Sequence, residues 1–590
     1  MTLSSSPLAA QFSRFIGRHS ESGADGLVAS TAKLLVVCQQ RGDSCLDLQD
    51  WGGKPWPESV AMGVIPDVAA WVAALRASDC VALVGSRAPM VLDGSKLYLF
   101  RYWRDEQSVA QAILARLQQR PSLHVAQLQQ GLQRLFPSPD DGVNWQRLAA
   151  ALAVSRGFAV ISGGPGTGKT TSLIKLLSLL LEQGDLRIAL AAPTGKAAAR
   201  MVESIRQSRQ GLDLSASLED GALGEAFTIH RLLGYSPRGW RHDANNPLAL
   251  DCLVVDEASM VSLPLMARLV RALPQYCRLI LLGDRDQLAS VEAGSVLGDI
   301  TGHGDALAYD PEVAQTLAAW TGDDVAQIPT RVDAPPIANA IALLRTSYRF
   351  GAESGIGRLA GLVNRGASDG AIALLRGGGV PDLHWHCDGL GGLLDQVADR
   401  YAEYLAQSGV ASALAAFERM RVLCAVRQGK VGVEGVNAAI ASRLQARNLL
   451  ATGALVHGTP VMVTVNSYEL GLFNGDVGLV WRDERARLRV WFRHSDQSLH
   501  QIPLQLLPRH DLAWAMTVHQ AQGSEFDQVV MVLPQQLGEH TPVSRELLYT
   551  AITRTRHHFT IFADLSMLRQ SIQQRVQRSS GLATALGWGA

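Results

Sequence analysis

The chain has no surplus of charge of either sign: Lys plus Arg and Asp plus Glu number 54 each over 590 residues. A broadly basic nucleic-acid coat is thereby excluded, although a local basic channel is not. Cysteine is sparse: there are seven, an odd number, and no C-x-x-C occurs. Neither a disulfide framework nor a zinc ribbon is suggested, and a reducing cytoplasm is the default expectation. No apolar run approaches the ~20 residues that a membrane helix needs. The first twenty residues contain no acid and several serines, which imitates a transit peptide. Leu8, Phe12, Phe15 and Ile16 lie at helical spacing there, so a docking or core helix is the preferred reading. A D-x-E-x-K-like nuclease constellation and a metal-ligand cluster are both missing. What remains is a globular chain, 47% hydrophobic and 18% charged, with length for roughly three or four domains.

Residues 1–125 are helical in pattern, with one hairpin in "MVLDGSKLYLFRYW" (90–103), where Asp93-Gly94 marks the turn. The Pro/Asp/Gly-rich "RLFPSPDDGVNWQ" (134–146) breaks the pattern, so a second unit is assigned to 126–330. Apolar strands alternate there with helical stretches ("FAVISGG", "RIALAAPT", "CLVVDEAS", "RLILLGD"), which predicts a parallel sheet covered by helices. Residues 302–337 read as an insertion or linker. A second α/β unit is assigned to 331–590, interrupted at about 455–508 by short strands that read as a small β-barrel or β-sheet insert.

The most specific stretch is "ISGGPGTGKTT" (161–171), which fits G-x-x-x-x-G-K-[ST] between an apolar strand and a leucine-rich helix. Gly163, Gly164, Gly166 and Gly168, with Pro165 and Thr167 between them, let backbone N–H groups ring phosphates at a positive helix end. Lys169 would hold the outer phosphates of ATP, the Thr170 hydroxyl Mg²⁺, and Thr171 completes the loop. "CLVVDEASM" (252–260) is an apolar strand ending in two acids: Asp256 is placed to complete the Mg²⁺ shell and Glu257 to deprotonate the attacking water. In "LILLGDRDQL" (279–288), Asp284 and Gln287 are placed to sense the γ-phosphate. "LLRTSYRF" (343–350) offers Tyr348 for a base and Arg349 for a phosphate, and "ELLYTAITRTR" (546–556) offers Arg554 and Arg556 to stabilise phosphoryl charge. An arginine from a second core would couple hydrolysis to closure, which describes a motor rather than a switch.

These segments, together with "NWQ" (144–146), "APTGKAAAR" (192–200), "TIHRLLG" (228–234) and "AMTVHQAQGSEFDQVVMVLP" (515–534), strongly resemble the ordered motifs of a superfamily 1 DNA helicase. "LGDRDQLASVEAGSVLGD", "NSYELGLFNGDVG" and "VHQAQGSEFD" narrow the likeness to the RecD family of helicase–nuclease subunits. The resemblance implies two RecA-like P-loop cores, a mainly helical N-terminal docking domain and an SH3-like insertion in the second core. It implies that Gln146 and Tyr348 bind adenine, that Gln287, Arg349 and Arg554 contact the γ-phosphate, and that Glu525 touches the ribose side. Thr194, His230, Thr517 and His519 take the DNA-contacting positions of their motifs. It also implies 5′-to-3′ movement on single-stranded DNA, action at duplex ends, and assembly with RecB-like and RecC-like subunits, one of which carries the nuclease. "YSPRGWRHDANNP" (235–247) sits where the family places a strand-separating pin and equally fits a plain surface loop. Two other readings are an ATP-driven clamp or transporter subunit, which the late "AITRTR" element disfavours, and a structural subunit with a degenerate motor, which the intact Lys169, Asp256, Glu257, Gln287 and Arg554 disfavour. A stand-alone helicase outside any nuclease complex is the alternative within the resemblance.

Overall fold

A computed structural model of the chain describes all residues except 1–5, 21–25, 58–59, 62, 85–86, 138–141, 210–224, 303–306, 352–353, 468, 495–497, 536–542 and 590. Its strands form four sheets.

The N-terminal sheet contains β1 (Leu46–Asp47), β2 (Val81–Leu83), β3 (Met90–Asp93) and β4 (Lys96–Leu99), in the order β1-β4-β3-β2. The hairpin expected at Asp93-Gly94 is β3–β4, antiparallel from Met90↔Leu99 to Asp93↔Lys96, with Gly94 at φ +61°. Helix Pro7–His19 turns Ala9, Ser13 and Ile16 inward, while Leu8 and Phe15 stay 56% and 47% exposed.

The first core holds β5 (Phe158–Gly163), β6 (Ile188–Ala192), β7 (Ala226–Thr228), β8 (Cys252–Val255), β9 (Arg278–Gly283) and β10 (Ile341–Leu344), in the order β10-β5-β9-β8-β6-β7. Every pairing is parallel. Helices cover both faces, which is why β5, β8 and β9 are buried along their whole length and read as unbroken apolar runs. The second core is also parallel, built from β11 (Leu383–His386), β12 (Met420–Cys424), β18 (Ala515–Thr517), β19 (Phe526–Val532) and β20 (Thr555–Phe562), in the order β11-β20-β19-β12-β18. Between β12 and β18 the chain makes an antiparallel sheet from β13 (Pro460–Val463), β14 (Val477–Arg482), β15 (Leu488–Arg493), β16 (Leu499–Pro503) and β17 (His510–Leu512). Val461, Val463, Val480, Val490, Phe492 and Ile502 give that sheet a small core of its own.

Tertiary packing moves four of the expected boundaries. The first lies not at 330 but beyond β10, which pairs with β5 from Ile341↔Val160 to Leu344↔Gly163. Residues before it are not a linker: the Tyr309 hydroxyl donates to the Ile341 carbonyl at 2.8 Å, and Ala314 and Leu317 lie in the first core. The second, placed at 125, falls inside the motor. Helix Phe100–Leu117 buries Val109, Ala110 and Ile113 in the first core, and Arg116 donates to the carbonyls of Cys277 and Pro274, both at 2.8 Å. The third concerns the chain's last residues, which do not stay on the second core. Leu582 and Leu586 pack in the first core, and Ser579 accepts a hydrogen bond from the Ser44 N–H of the N-terminal unit at 3.0 Å. The insertion likewise runs past 508, because β17 pairs with β13. The break expected at 134–146 lies in part outside the described residues.

Candidate active site

The carboxyl ends of β5, β8 and β9 converge on one cleft. Between β5 and helix Lys169–Glu182 the loop turns twice in the left-handed region, at Gly166 (φ +75°) and Gly168 (φ +79°). Both turns are also crowded. A Cβ on Gly166 would lie 2.2 Å from the Arg349 Cβ, and one on Gly168 2.3 Å from the Gln146 Nε2. Only glycine satisfies both constraints. Lys169 Nζ donates to the carbonyl of Gly163 and, at 3.1 Å, to that of Gly164. The Thr167 hydroxyl donates to Gly164 O at 2.8 Å.

Gln146, in the first turn of helix Trp145–Ser155, donates from Nε2 to Thr167 O at 2.8 Å, so the expected adenine-reading amide is tied to the phosphate loop. Tyr348 lies beside it: its N–H donates to Gly166 O at 2.7 Å, its Cδ2 comes 3.9 Å from the same Cβ position on Gly168 that Gln146 Nε2 crowds, and the residue is 69% exposed, free to cover a planar ligand.

At the end of β8, Asp256 and Glu257 stand side by side. Glu257 is held in the left-handed region at φ +51°, a strained conformation for a non-glycine residue. Its N–H donates to Asp256 Oδ1 at 2.8 Å. Burial, and then the neighbouring Glu257 charge, push the Asp256 carboxyl up to about 6, against the pull of that N–H and of Lys169. Two crowded carboxylates beside a lysine fit a divalent cation, whose charge would relieve their repulsion. Past β9, burial also pushes Asp284 up to about 6 although Lys169 opposes it. Asp284 Oδ2 accepts from Gln287 Nε2 at 3.1 Å.

The opposite wall comes from the second core and from the segment that follows β10. Arg349 Nη2 pairs with Glu525 Oε1 at 2.6 Å, and Arg556 Nη2 with Glu525 Oε2 at 3.3 Å. Arg554 is 3% exposed and donates from Nη1 to Ser524 O at 3.3 Å. Arg349 Nη1 and Arg554 Nε are buried with no hydrogen-bond partner among the described residues. Buried guanidinium nitrogens without a partner fit an anionic ligand. The sequence reading missed Arg200, whose charge acts on Glu525, Arg554 and Glu257. It lies one helical turn into Gly195–Arg209, and no spacing rule relates it to residues 325 positions away.

Family models match three parts of the chain: the N-terminal domain of the RecBCD enzyme subunit RecD at residues 5–98, an AAA domain at 146–293, and the UvrD-like helicase C-terminal domain at 512–562. The RecBCD enzyme subunit RecD of Mycobacterium tuberculosis is 38% identical over 587 residues, covering 95% of this chain and 92% of its own. That of Haemophilus influenzae is 36% identical over 541 residues, covering 85% of this chain and 82% of its own. The chain belongs to the RecD family. The ATP-dependent RecD2 DNA helicase of Deinococcus radiodurans is 33% identical over 431 residues, which make up 72% of this chain and 50% of that protein. The match to the RecD N-terminal domain stops at 98, just before helix Phe100–Leu117 and in agreement with the packing boundary.

The four residues expected to touch DNA lie at the ends of β6, β7 and β18 or just beyond them. The Thr194 hydroxyl accepts from Ala197 N–H at 3.2 Å. Thr517 donates from Oγ1 to Gln520 Oε1 at 3.1 Å. His230 packs its ring 5.7 Å from Tyr235 and 5.4 Å from Trp240. Burial lowers the pKa of His230, and burial together with Arg578 lowers that of His519, so both imidazoles are neutral at pH 7. Hydroxyls and neutral rings offer hydrogen bonds and stacking rather than charge, in keeping with the zero net charge. Within 235–248, Ser236 and Gly239 exchange two 2.9 Å backbone hydrogen bonds in a tight turn. Phe473 of the antiparallel insertion lies against Gly195, whose added Cβ would meet its ring at 3.1 Å, so the insertion touches both cores. Among the described residues no helix is long and apolar enough to cross a membrane, and no group of three or more His, Cys, Asp or Glu could hold a metal ion.

Proposed function

We propose that this chain is an ATP-driven motor subunit that moves 5′ to 3′ along single-stranded DNA and unwinds duplex ends, assembled with RecB-like and RecC-like subunits. The observation that carries this reading is the cleft itself: Lys169, Asp256 and Glu257 on one parallel-sheet core face Arg554, Arg556 and Glu525 on another, in a member of the RecD family. Hydrolysis requiring groups from both cores is coupled to their closure.

In this reading Lys169 leaves the loop carbonyls and takes the outer phosphates of ATP. Gln146 and Tyr348 hold the adenine, and Glu525 lies toward the ribose. Thr170 and Asp256 would hold Mg²⁺, which when bound neutralises charge on the outer phosphates. Glu257 accepts the proton of the attacking water. Gln287, Arg349 and Arg554 contact the γ-phosphate, and Arg554 stabilises its developing charge. Closure then alternates grip between Thr194 and His230 on one core and Thr517 and His519 on the other. The Ser236–Gly239 turn serves as the pin that splits the duplex. The exposed Leu8 and Phe15 belong to the docking face of the N-terminal unit, and the antiparallel insertion is SH3-like.

The test uses the chain co-purified with its partner subunits. ATP turnover should rise with single-stranded DNA and weaken with salt as phosphate contacts release counterions. With the partner motor disabled, a duplex with a 5′ overhang should unwind and one with only a 3′ overhang should not. Unwinding of the 3′ overhang alone would refute the assigned polarity.

A further inference from the structure

Tyr549 enters the nucleotide cleft from the second core, in helix Arg545–Thr553, and sequence reasoning assigned it no role. Its hydroxyl donates to Asp284 Oδ2 at 3.2 Å, the same oxygen that accepts Gln287 Nε2 at 3.1 Å. It also reaches the phosphate loop: a Cβ added to Gly164 would lie 2.9 Å from the Tyr549 hydroxyl oxygen, so the missing side chain at Gly164 is the space this group uses. The ring is 6% exposed. Burial and the Asp284 charge raise the phenol well above its ordinary value, so it is a hydrogen-bond donor at every working pH. Two more bonds join the same segments: Leu288 N–H donates to the Thr550 hydroxyl at 3.0 Å, and Gln522 Nε2 donates to Leu288 O at 3.0 Å.

These contacts place a second-core hydroxyl on the pair that faces the γ-phosphate in the first core. We propose that Tyr549 is a positioning residue for ATP hydrolysis, orienting Asp284 and through it the Gln287 amide, and doing so only when the two cores are closed. The inference rests on the motor reading above. With Nε2 shared toward Asp284, Gln287 keeps its second amide hydrogen and its Oε1 for the phosphate and the attacking water. When the cleft opens, Tyr549 withdraws, Asp284 loses a donor, and Gln287 is released. Hydrolysis is thereby restricted to the closed state without Tyr549 touching the reacting atoms.

Tyr549→Phe keeps the ring and removes only the hydroxyl. In the assembled complex, with the partner motor disabled and saturating single-stranded DNA, kcat for ATP should fall ~10-fold or more, the scale for one lost hydrogen bond to a charged group. KM for ATP and the thermal midpoint should stay near wild type. Gln287→Ala should lower kcat, and adding Tyr549→Phe to it should lower kcat little further, because both act on one amide. A kcat unchanged by Tyr549→Phe, or effects that multiply in the double variant, would overturn the proposal. Loss of stability in step with kcat would overturn it too, showing a packing role. The motor reading fails separately: a wild-type chain whose ATP turnover ignores DNA refutes that reading whatever Tyr549→Phe does.

Discussion

Glu525 accepts Arg349 on one carboxylate oxygen at 2.6 Å and Arg556 on the other at 3.3 Å, so a single acid balances two arginines at the edge of the nucleotide cleft. Burial alone would raise its pKa. Arg349, Arg200 and Arg554 overcome this and hold the carboxyl down to about 2. A depressed acid stabilises the fold when ionised, fully above its unfolded pKa near 4.5, and that contribution fades as pH falls toward 2. Glu525→Gln should therefore cost on the order of 2 kcal/mol at pH 7. Urea unfolding from pH 7 down to 3 checks this: the gap between wild type and variant should narrow below about pH 4.5.

Asp256 predicts the opposite sign. Its carboxyl is raised to about 6, so its ionised form weakens the folded state above that pH. Asp256→Asn should abolish ATP turnover yet raise the thermal midpoint at pH 8, by on the order of 1–2 kcal/mol of stability. Calorimetry of wild type and variant without metal or nucleotide tests the gain in stability, and an ATPase assay of the variant tests the loss of turnover.

The catalytic assignments separate by phenotype. Lys169→Gln should lose hydrolysis and unwinding while keeping the fold. Glu257→Gln should still bind ATP and turn it over very slowly, because the water has lost its base. Arg554→Ala should lower turnover ~10³-fold or more if it stabilises the transferring phosphoryl group. Turnover and nucleotide binding measured on each variant decide this, and normal turnover in Arg554→Ala would move the role to Arg556.

Truncation tests the docking unit, and the structure sets where to cut. Removing residues 1–99 takes the N-terminal unit alone and should abolish assembly with the partner subunits while DNA-stimulated ATP turnover survives. Removing 1–110 should instead destabilise the motor. That cut deletes Val109 and Ala110 from the first core and breaks the Asp105–Arg271 pair at 2.6 Å. Co-purification and thermal unfolding of both truncations report the two outcomes. Intact assembly after removal of 1–99 would move the contact onto the motor cores.

The phosphate loop, the strand-end acids Asp256 and Glu257, and the alternation of strand and helix were legible in the residues alone. Each is a local pattern whose chemistry acts over a few consecutive positions: a left-handed turn needs Gly168, a buried parallel strand needs an apolar run, and a carboxylate beside the phosphates needs a strand end. The residues also carried the order of the motifs, and with it the family. Tertiary structure decided everything that depends on long-range pairing. It placed β10 in the first sheet, returned Leu582 and Leu586 to the first core, and drew helix Phe100–Leu117 out of the N-terminal unit. It brought the Arg200 charge within range of Glu525, across 325 positions of chain, and the Tyr549 hydroxyl onto Asp284, across 265. An apolar strand looks the same in sequence whichever sheet accepts it, and a buried arginine or tyrosine shows its partner only when two distant segments close on each other.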